Sequence, residues 1–154
     1  MKTTREESGK VDALLILKQT HEDLKGQFEE LLHTYNPLQA QELWRKPQPV
    51  LKRHEQIEET YVYGPLRQDS GADAALVERV KQHDHDLEHV QRLIQEANTF
   101  ESVDGRFHNQ LSRIRDALGE HIRGEEEQIF PRIEQIWGSS RLAEAGRQIE
   151  QLQL

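Results

Sequence analysis

Four stretches of this chain carry apolar residues at three- and four-residue intervals, and each places a histidine inside its apolar stripe. That interval is one face of an α-helix, and no alternating β-branched run competes with it. The first predicted helix runs from about Val11 to Tyr35, with Leu14, Leu17, His21, Leu24, Phe28 and Leu31 in its stripe. Asn36-Pro37 ends it. Residues 38–49 hold Trp44, Pro47 and Pro49 and read as a short helical lead-in broken near the prolines. The second long helix carries Leu51, His54, Glu58, Tyr61 and Val62 and ends near Gly64-Pro65. Asp69-Ser70-Gly71 is a predicted loop. The third, from about Asp73 to Thr99, carries Leu76, Val80, His83, Leu87, Val90, Ile94 and Ala97. After a turn at Ser102–Gly105, the fourth carries Phe107, Leu111, Ile114, Leu118, His121, Glu125 and Ile129 and meets Pro131.

Long amphipathic helices with short connections favour antiparallel neighbours, so the expected fold is an all-α, up-down-up-down four-helix bundle. The chain of 154 residues is long enough for one domain with a hydrophobic core. The expected layout is a flexible N-terminal tail at 1–10, the four-helix domain at 11–136 and an amphipathic C-terminal tail at 137–154. Within that tail Leu142, Ile149 and Leu152 predict a short fifth helix, the expected place for contact with a partner or another copy. A net charge of −8 weighs against nucleic-acid binding. No apolar run is long enough for a membrane span, and no signal-peptide core follows the polar start, so a soluble cytoplasmic protein is expected. The chain has no cysteine, which removes disulfides, thiolate catalysis and Fe–S clusters.

The second and fourth helices share a pattern. One reads Leu51-x-x-His54-x-x-x-Glu58-Glu59, then Tyr63, Pro65 and Arg67; the other reads Leu118-x-x-His121-x-x-x-Glu125-Glu126, then Phe130, Pro131 and Arg132. Residues four apart share a helix face, so each helix offers an imidazole and a carboxylate one turn apart. A carboxylate has two oxygens and can bridge two cations. His21 and His83 add an imidazole from each remaining helix. Burying that many titratable groups without partners costs several kcal/mol each, and metal coordination removes the cost. Imidazole and carboxylate without sulfur suit iron, manganese or zinc.

Each part alone is weak. A single core histidine is more often hydrogen-bonded than a ligand, and a single His/Glu pair is usually a surface pair. The joint pattern is what carries the inference. On the third helix His83 lies central to the apolar stripe, while His85 and His89 lie nearly opposite, one turn apart; they read as exposed, with a weak surface metal pair as the alternative. His33 and His108 fall off the core stripes. Glu125 shares the His121 face and Glu126 is expected to be turned away. Glu59 and Glu126 are then groups behind the ligands or on the surface. Tyr61 reads first as a packed aromatic with its hydroxyl near the surface, and alternatively as a hydrogen-bonding or redox-active phenol at the site. Gly124, beside Glu125, is either a tolerated helix glycine or the opening of a small-molecule path.

On these residues the chain resembles the hemerythrin-like family, the His-His-Glu cation-binding domain, over about residues 11–135. The resemblance rests on His21, on His54-x-x-x-Glu58 with its aromatic-proline end, and on the run from His121 through Glu125-Glu126-Glu127-Gln128-Ile129-Phe130-Pro131. It implies a non-haem di-iron centre with His21, His54, His83 and His121 as terminal ligands. Glu58, Glu125 and an oxo or hydroxo group would bridge the irons, and the centre would bind or reduce dioxygen, peroxide or nitric oxide. Respiratory members use a second histidine one turn after the first on the third helix, where this chain has Leu87. They use an aspartate five residues after the last histidine, where this chain has Glu125 at four, and Gly64 is an extra residue before Pro65. Two six-coordinate irons have roughly twelve positions, of which this donor set fills about ten, so open positions favour catalysis or small-ligand sensing over reversible oxygen carriage. Two rivals accompany the di-iron reading. One is a redox, oxygen or nitric-oxide sensor or interaction module without turnover; the other is a plain bundle whose histidines take up zinc adventitiously.

Overall fold

The computed structural model describes residues 11–69 and 73–152, and every element among them is helical. Helix α1 spans Ala13–Leu32, α2 Pro37–Trp44, α3 Pro47–Glu58, α4 Gly64–Gln68, α5 Ala74–Ala97, α6 Gly105–Gly124 and α7 Phe130–Leu152. A π-helical turn at Glu59–Tyr63 joins α3 to α4, and another at Glu125–Ile129 joins α6 to α7. The expected tail at 1–10, and Ser70 and Gly71 of the expected loop, lie outside the described residues.

The helix starts follow side-chain chemistry. Asp12, Asn36, Asp73 and Asp104 each accept a backbone N–H from the first turn of the helix they precede. Such caps satisfy donors that have no partner inside the helix. Two prolines that follow helix ends, as expected, also begin the next helices. Pro37 opens α2 and Pro47 opens α3, positions where a missing N–H and a fixed φ cost nothing.

The helix ends differ more. The second long helix does not stop at Gly64-Pro65, and the fourth does not stop at Pro131. In each case a π-helical turn comes first, with the Gly64 N–H bonded to the Glu59 carbonyl and the Phe130 N–H to the Glu125 carbonyl. The change from π to α spacing already interrupts the hydrogen-bond ladder, so the proline that follows removes little more.

The long helices form the expected up-down-up-down bundle, with α1 against α3, α6 and α7, and α5 against α6. The core falls into two clusters. One includes Leu14, Leu17, Val62, Leu66, Leu76, Val80, Ile133 and Trp137. The other includes Leu24, Phe28, Leu31, Trp44, Leu51, Val90, Leu93, Leu111, Ile114 and Leu118. Each such side chain contributes about 1.5–3 kcal/mol on burial. His21 falls in sequence between Leu17 of one cluster and Leu24 of the other, and His83 between Val80 and Val90. The polar layer therefore separates two apolar ends that hold the helices around it.

Beyond Ile133 the chain bends at Gly138, whose φ of 75° suits a residue without a Cβ. The helix then resumes and lies along the start of α1. Leu142 and Ile149 are buried there, whereas Leu152 is exposed. The predicted fifth helix is thus the second limb of α7. Leu142 and Ile149 on its apolar face are covered by its own chain. Gly146 lets the backbones meet, since a Cβ there would fall against the Val11 carbonyl. Asp69 ties the bend to the α4 end, accepting from Trp137 Nε1 at 3.0 Å and Arg141 at 2.7 Å. No described helix is long and apolar enough to cross a membrane.

Candidate metal centre

His21 from α1, His54 and Glu58 from α3, His83 from α5, His121 from α6 and Glu125 from the π-helical turn after it are all buried. Ligand atoms of His21, His54, Glu58 and Glu125 lie within 4.8 Å of one another. His21 Nε2 is 3.1 Å from His54 Nε2 and 2.9 Å from Glu125 Oε1. His54 Nε2 is 3.1 Å from Glu58 Oε2. On the other side of the carboxylates, His83 Nε2 is 2.9 Å from Glu125 Oε2 and 4.0 Å from Glu58 Oε1. His121 stacks on His83 with ring centroids 3.7 Å apart. Both carboxylates therefore present one oxygen to the His21/His54 side and the other to the His83 side.

Several of these atoms have no hydrogen-bond partner. His54 Nδ1, His121 Nδ1, His83 Nε2 and Glu125 Oε1 are buried and unpaired, the last two near a partner but without the alignment of a hydrogen bond. Unpaired buried polar atoms are rare and costly. Two of them, His83 Nε2 and Glu125 Oε1, lie in the layer itself, where a cation held by bonds of about 2.0–2.2 Å would satisfy them, whereas His54 faces the layer with Nε2 and leaves its Nδ1 unpaired behind. The donor set fits a hard or borderline cation.

The electrostatics without metal are those of a crowded, dry site. Burial pushes His54 down to about 4, against the pull of Glu125 and reinforced by His21 and His83. Burial and then His83 push His121 down to about 3. Burial opposes charge on His21 as well, but Glu125 and Glu126 outweigh it and raise this histidine above its ordinary value. Burial and the neighbouring Glu125 lift Glu58 well above the carboxylate range. Burial would lift Glu125 too, but the Glu58 carboxyl and the close His21 and His83 rings hold it well below. The pair thus behaves as one carboxylic acid and one carboxylate.

All six residues singled out from the sequence meet in this layer. His85 and His89 are exposed, as is His33. His108 is half-buried and bonds through Nε2 to the Thr34 carbonyl at 2.9 Å, joining α6 to the end of α1. Tyr61 is partly buried and packs on the core away from the ligands. The phenol at the site is Tyr63, whose hydroxyl donates to Glu125 Oε2 while its ring meets His83 edge-on at 5.6 Å. Burial and then Glu125 raise that phenol well above its ordinary value. An uninterrupted α-helix would turn position 63 away from Glu58; the π-helical turn adds a residue and brings it round. The extra Gly64 in the first of the paired motifs, on the second long helix, is the one sequence signal of that turn.

Glu126 was expected to turn away, and it does not. It reaches His21 Nδ1 at 2.5 Å from a half-buried position. Phe130 stacks on the His21 ring, 6.1 Å away and nearly parallel. Glu59 stays on the surface with Arg67 at 2.5 Å.

The family model for the hemerythrin HHE cation binding domain matches residues 12–133, which takes in α1 to α6 and the whole buried layer. The chain belongs to the hemerythrin HHE cation-binding family. Comparisons with curated proteins and with solved structures returned no match. Family and buried cluster together make this a helical bundle with a cation-binding His/Glu site.

Proposed function

We propose that the site holds two iron ions and reacts with dioxygen, peroxide or nitric oxide. His21 and His54 serve one ion, His83 and His121 the other, and Glu58 and Glu125 bridge them. The observation that carries this reading is the division of the carboxylates. Glu125 offers Oε1 to His21 and Oε2 to His83, each at 2.9 Å, and Glu58 faces both sides in the same way. A single cation needs no such division.

When bound, iron would supply the redox change and the affinity for a small oxygen- or nitrogen-containing ligand. The chain supplies the rest. Leu24, Leu118 and Ile122 close over the His21/His54 side of the layer and keep bulk water from it. Glu126 accepts the Nδ1 proton of His21 and leaves Nε2 to face the site. The Tyr63 hydroxyl donates to Glu125 Oε2 and fixes that carboxylate's orientation.

Anaerobic metal analysis after growth in iron-replete medium tests the reading. About two irons per chain are expected, by the ligand count of a carboxylate-bridged bundle site. Exposure to dioxygen, peroxide or nitric oxide should change the near-ultraviolet absorption, and His54→Ala should lose much of the metal. A chain isolated without metal, with the same stability in chelator as out of it, would end this interpretation. Retained zinc that His54→Ala leaves in place would point to adventitious binding.

A further inference from the structure

His83 and His121 form the inner wall of a cleft of about 730 Å³ between α5 and α6. None of His21, His54, Glu58 or Glu125 lines it. The void beside His21 and His54 is only about 10 Å³. The layer is therefore open toward solvent on the His83/His121 side and nearly closed on the other.

Gly124 of α6 faces Arg79 of α5 in this cleft. A Cβ on Gly124 would meet only Arg79 Nη2, at 3.6 Å, so the absent side chain leaves space in the cleft beside Arg79. Arg79 has no carboxylate partner among the described residues. Glu120 pairs with Arg123 at 2.8 Å and Asp116 with Arg115 at 3.0 Å, whereas Asp86 accepts from the neutral amide of Gln82 and keeps its charge. Glu127 lines the same cleft as Arg79 and Arg92. Charge on the metals acts in the same direction. On the two-iron reading, two divalent cations with two carboxylates and neutral imidazoles keep a positive excess, which an incoming anion neutralises.

We propose that small anions reach the His83/His121 side of the layer along the cleft between α5 and α6, guided by Arg79 past the gap left by Gly124. This rests on the metal reading for the anion's destination and on the cleft alone for its route.

The two parts are tested separately with the full chain. In metal-free protein, diethyl pyrocarbonate, which acylates neutral imidazole, should modify His121 faster than His54, both being neutral near pH 7, read by peptide mass mapping. Gly124→Leu, which fills the gap, should slow that modification while melting like the natural protein. In iron-loaded protein, Arg79→Gln should slow azide association about three- to tenfold at low salt, with the difference fading as salt is added. It should leave nitric oxide association unchanged. Equal or faster labelling of His54 overturns the route even if Gly124→Leu does not fold. So does unchanged His121 labelling in a folded Gly124→Leu protein. Azide rates indifferent to Arg79→Gln overturn the anion preference. A chain that holds no metal removes the two-iron reading and the anion preference with it, while His121-selective labelling would still establish the route.

Discussion

The Tyr63 hydroxyl donates to Glu125 Oε2 from the opposite side of the bundle. Both groups are buried, and Glu125 is the carboxylate held in its ionised form. Removing the hydroxyl leaves a charged oxygen with one donor fewer. In metal-free protein, Tyr63→Phe should therefore cost about 1.5–3 kcal/mol, the range for a hydrogen bond to a charged group. The ring and its contact with His83 remain, so the helical fold should persist. Urea unfolding of the two metal-free proteins measures the difference, and equal midpoints would mean that the hydroxyl does not stabilise the carboxylate.

Glu126 supports a ligand rather than being one. Its contact with His21 Nδ1 sets which imidazole nitrogen faces the layer. Partners of this kind typically change metal affinity by about 10- to 100-fold. Glu126→Ala should weaken iron binding by that order, measured by competition with a chromogenic chelator. Glu126→Gln keeps an accepting oxygen and should recover part of the loss. An alanine variant that holds iron as tightly as the natural chain would show that the contact is incidental.

These two residues also mark where the sequence stops being legible. His54 and Glu58 sit within one unbroken α-helix, so their four-residue spacing alone aligns them. His21 and His83 are central in their stripes and declare themselves in the same way. Tyr63, Glu126 and Phe130 lie in or just past π-helical turns, where α-helical counting gives the wrong face. The same turns carry the chain through Pro65 and Pro131, which otherwise read as helix ends. Nor does a local pattern disclose that Leu142 and Ile149 face α1 rather than a partner, because that depends on a bend at Gly138 and a close approach at Gly146.

The protonation pattern gives the metal-free protein an unusual pH profile. His54 and His121 fall from an ordinary 6.5 to about 4 and about 3. Between about pH 4.5 and 6.5 the unfolded chain binds both protons and the folded chain neither. Glu58, raised from 4.5, holds in the folded state one proton the unfolded chain releases. The unfolded state keeps a net excess, so stability should rise with pH across this window. Above about 6.5 the sign reverses, because folded His21 keeps a proton the unfolded chain has lost, and the upward shift of Glu58 acts in the same direction. Stability should peak near the ordinary histidine value. Metal displaces those two protons, so loading should release protons and remove the alkaline decline. Urea midpoints across pH with and without iron measure this; a metal-free protein that grows steadily more stable above pH 7 would contradict the assignment.

Gly146 offers a sharper check on how the second limb of α7 is held. Replacing an exposed glycine inside a helix by alanine ordinarily stabilises a protein by up to about 1 kcal/mol. Gly26 of α1 has open space where a Cβ would go, so Gly26→Ala should follow that rule. At Gly146 the added methyl falls against the Val11 carbonyl and the Asp12 backbone, which cannot swing aside as a flexible side chain can. The two helices must separate, which loosens the burial of Leu142 and Ile149 and costs about 1–3 kcal/mol. The same substitution should therefore change sign between the two sites. The metal layer lies away from this contact, so iron content should be unchanged in both variants. If Gly146→Ala stabilised the chain as Gly26→Ala does, the limb could not be packed against α1 as closely as this, and its apolar face would be available to a partner after all.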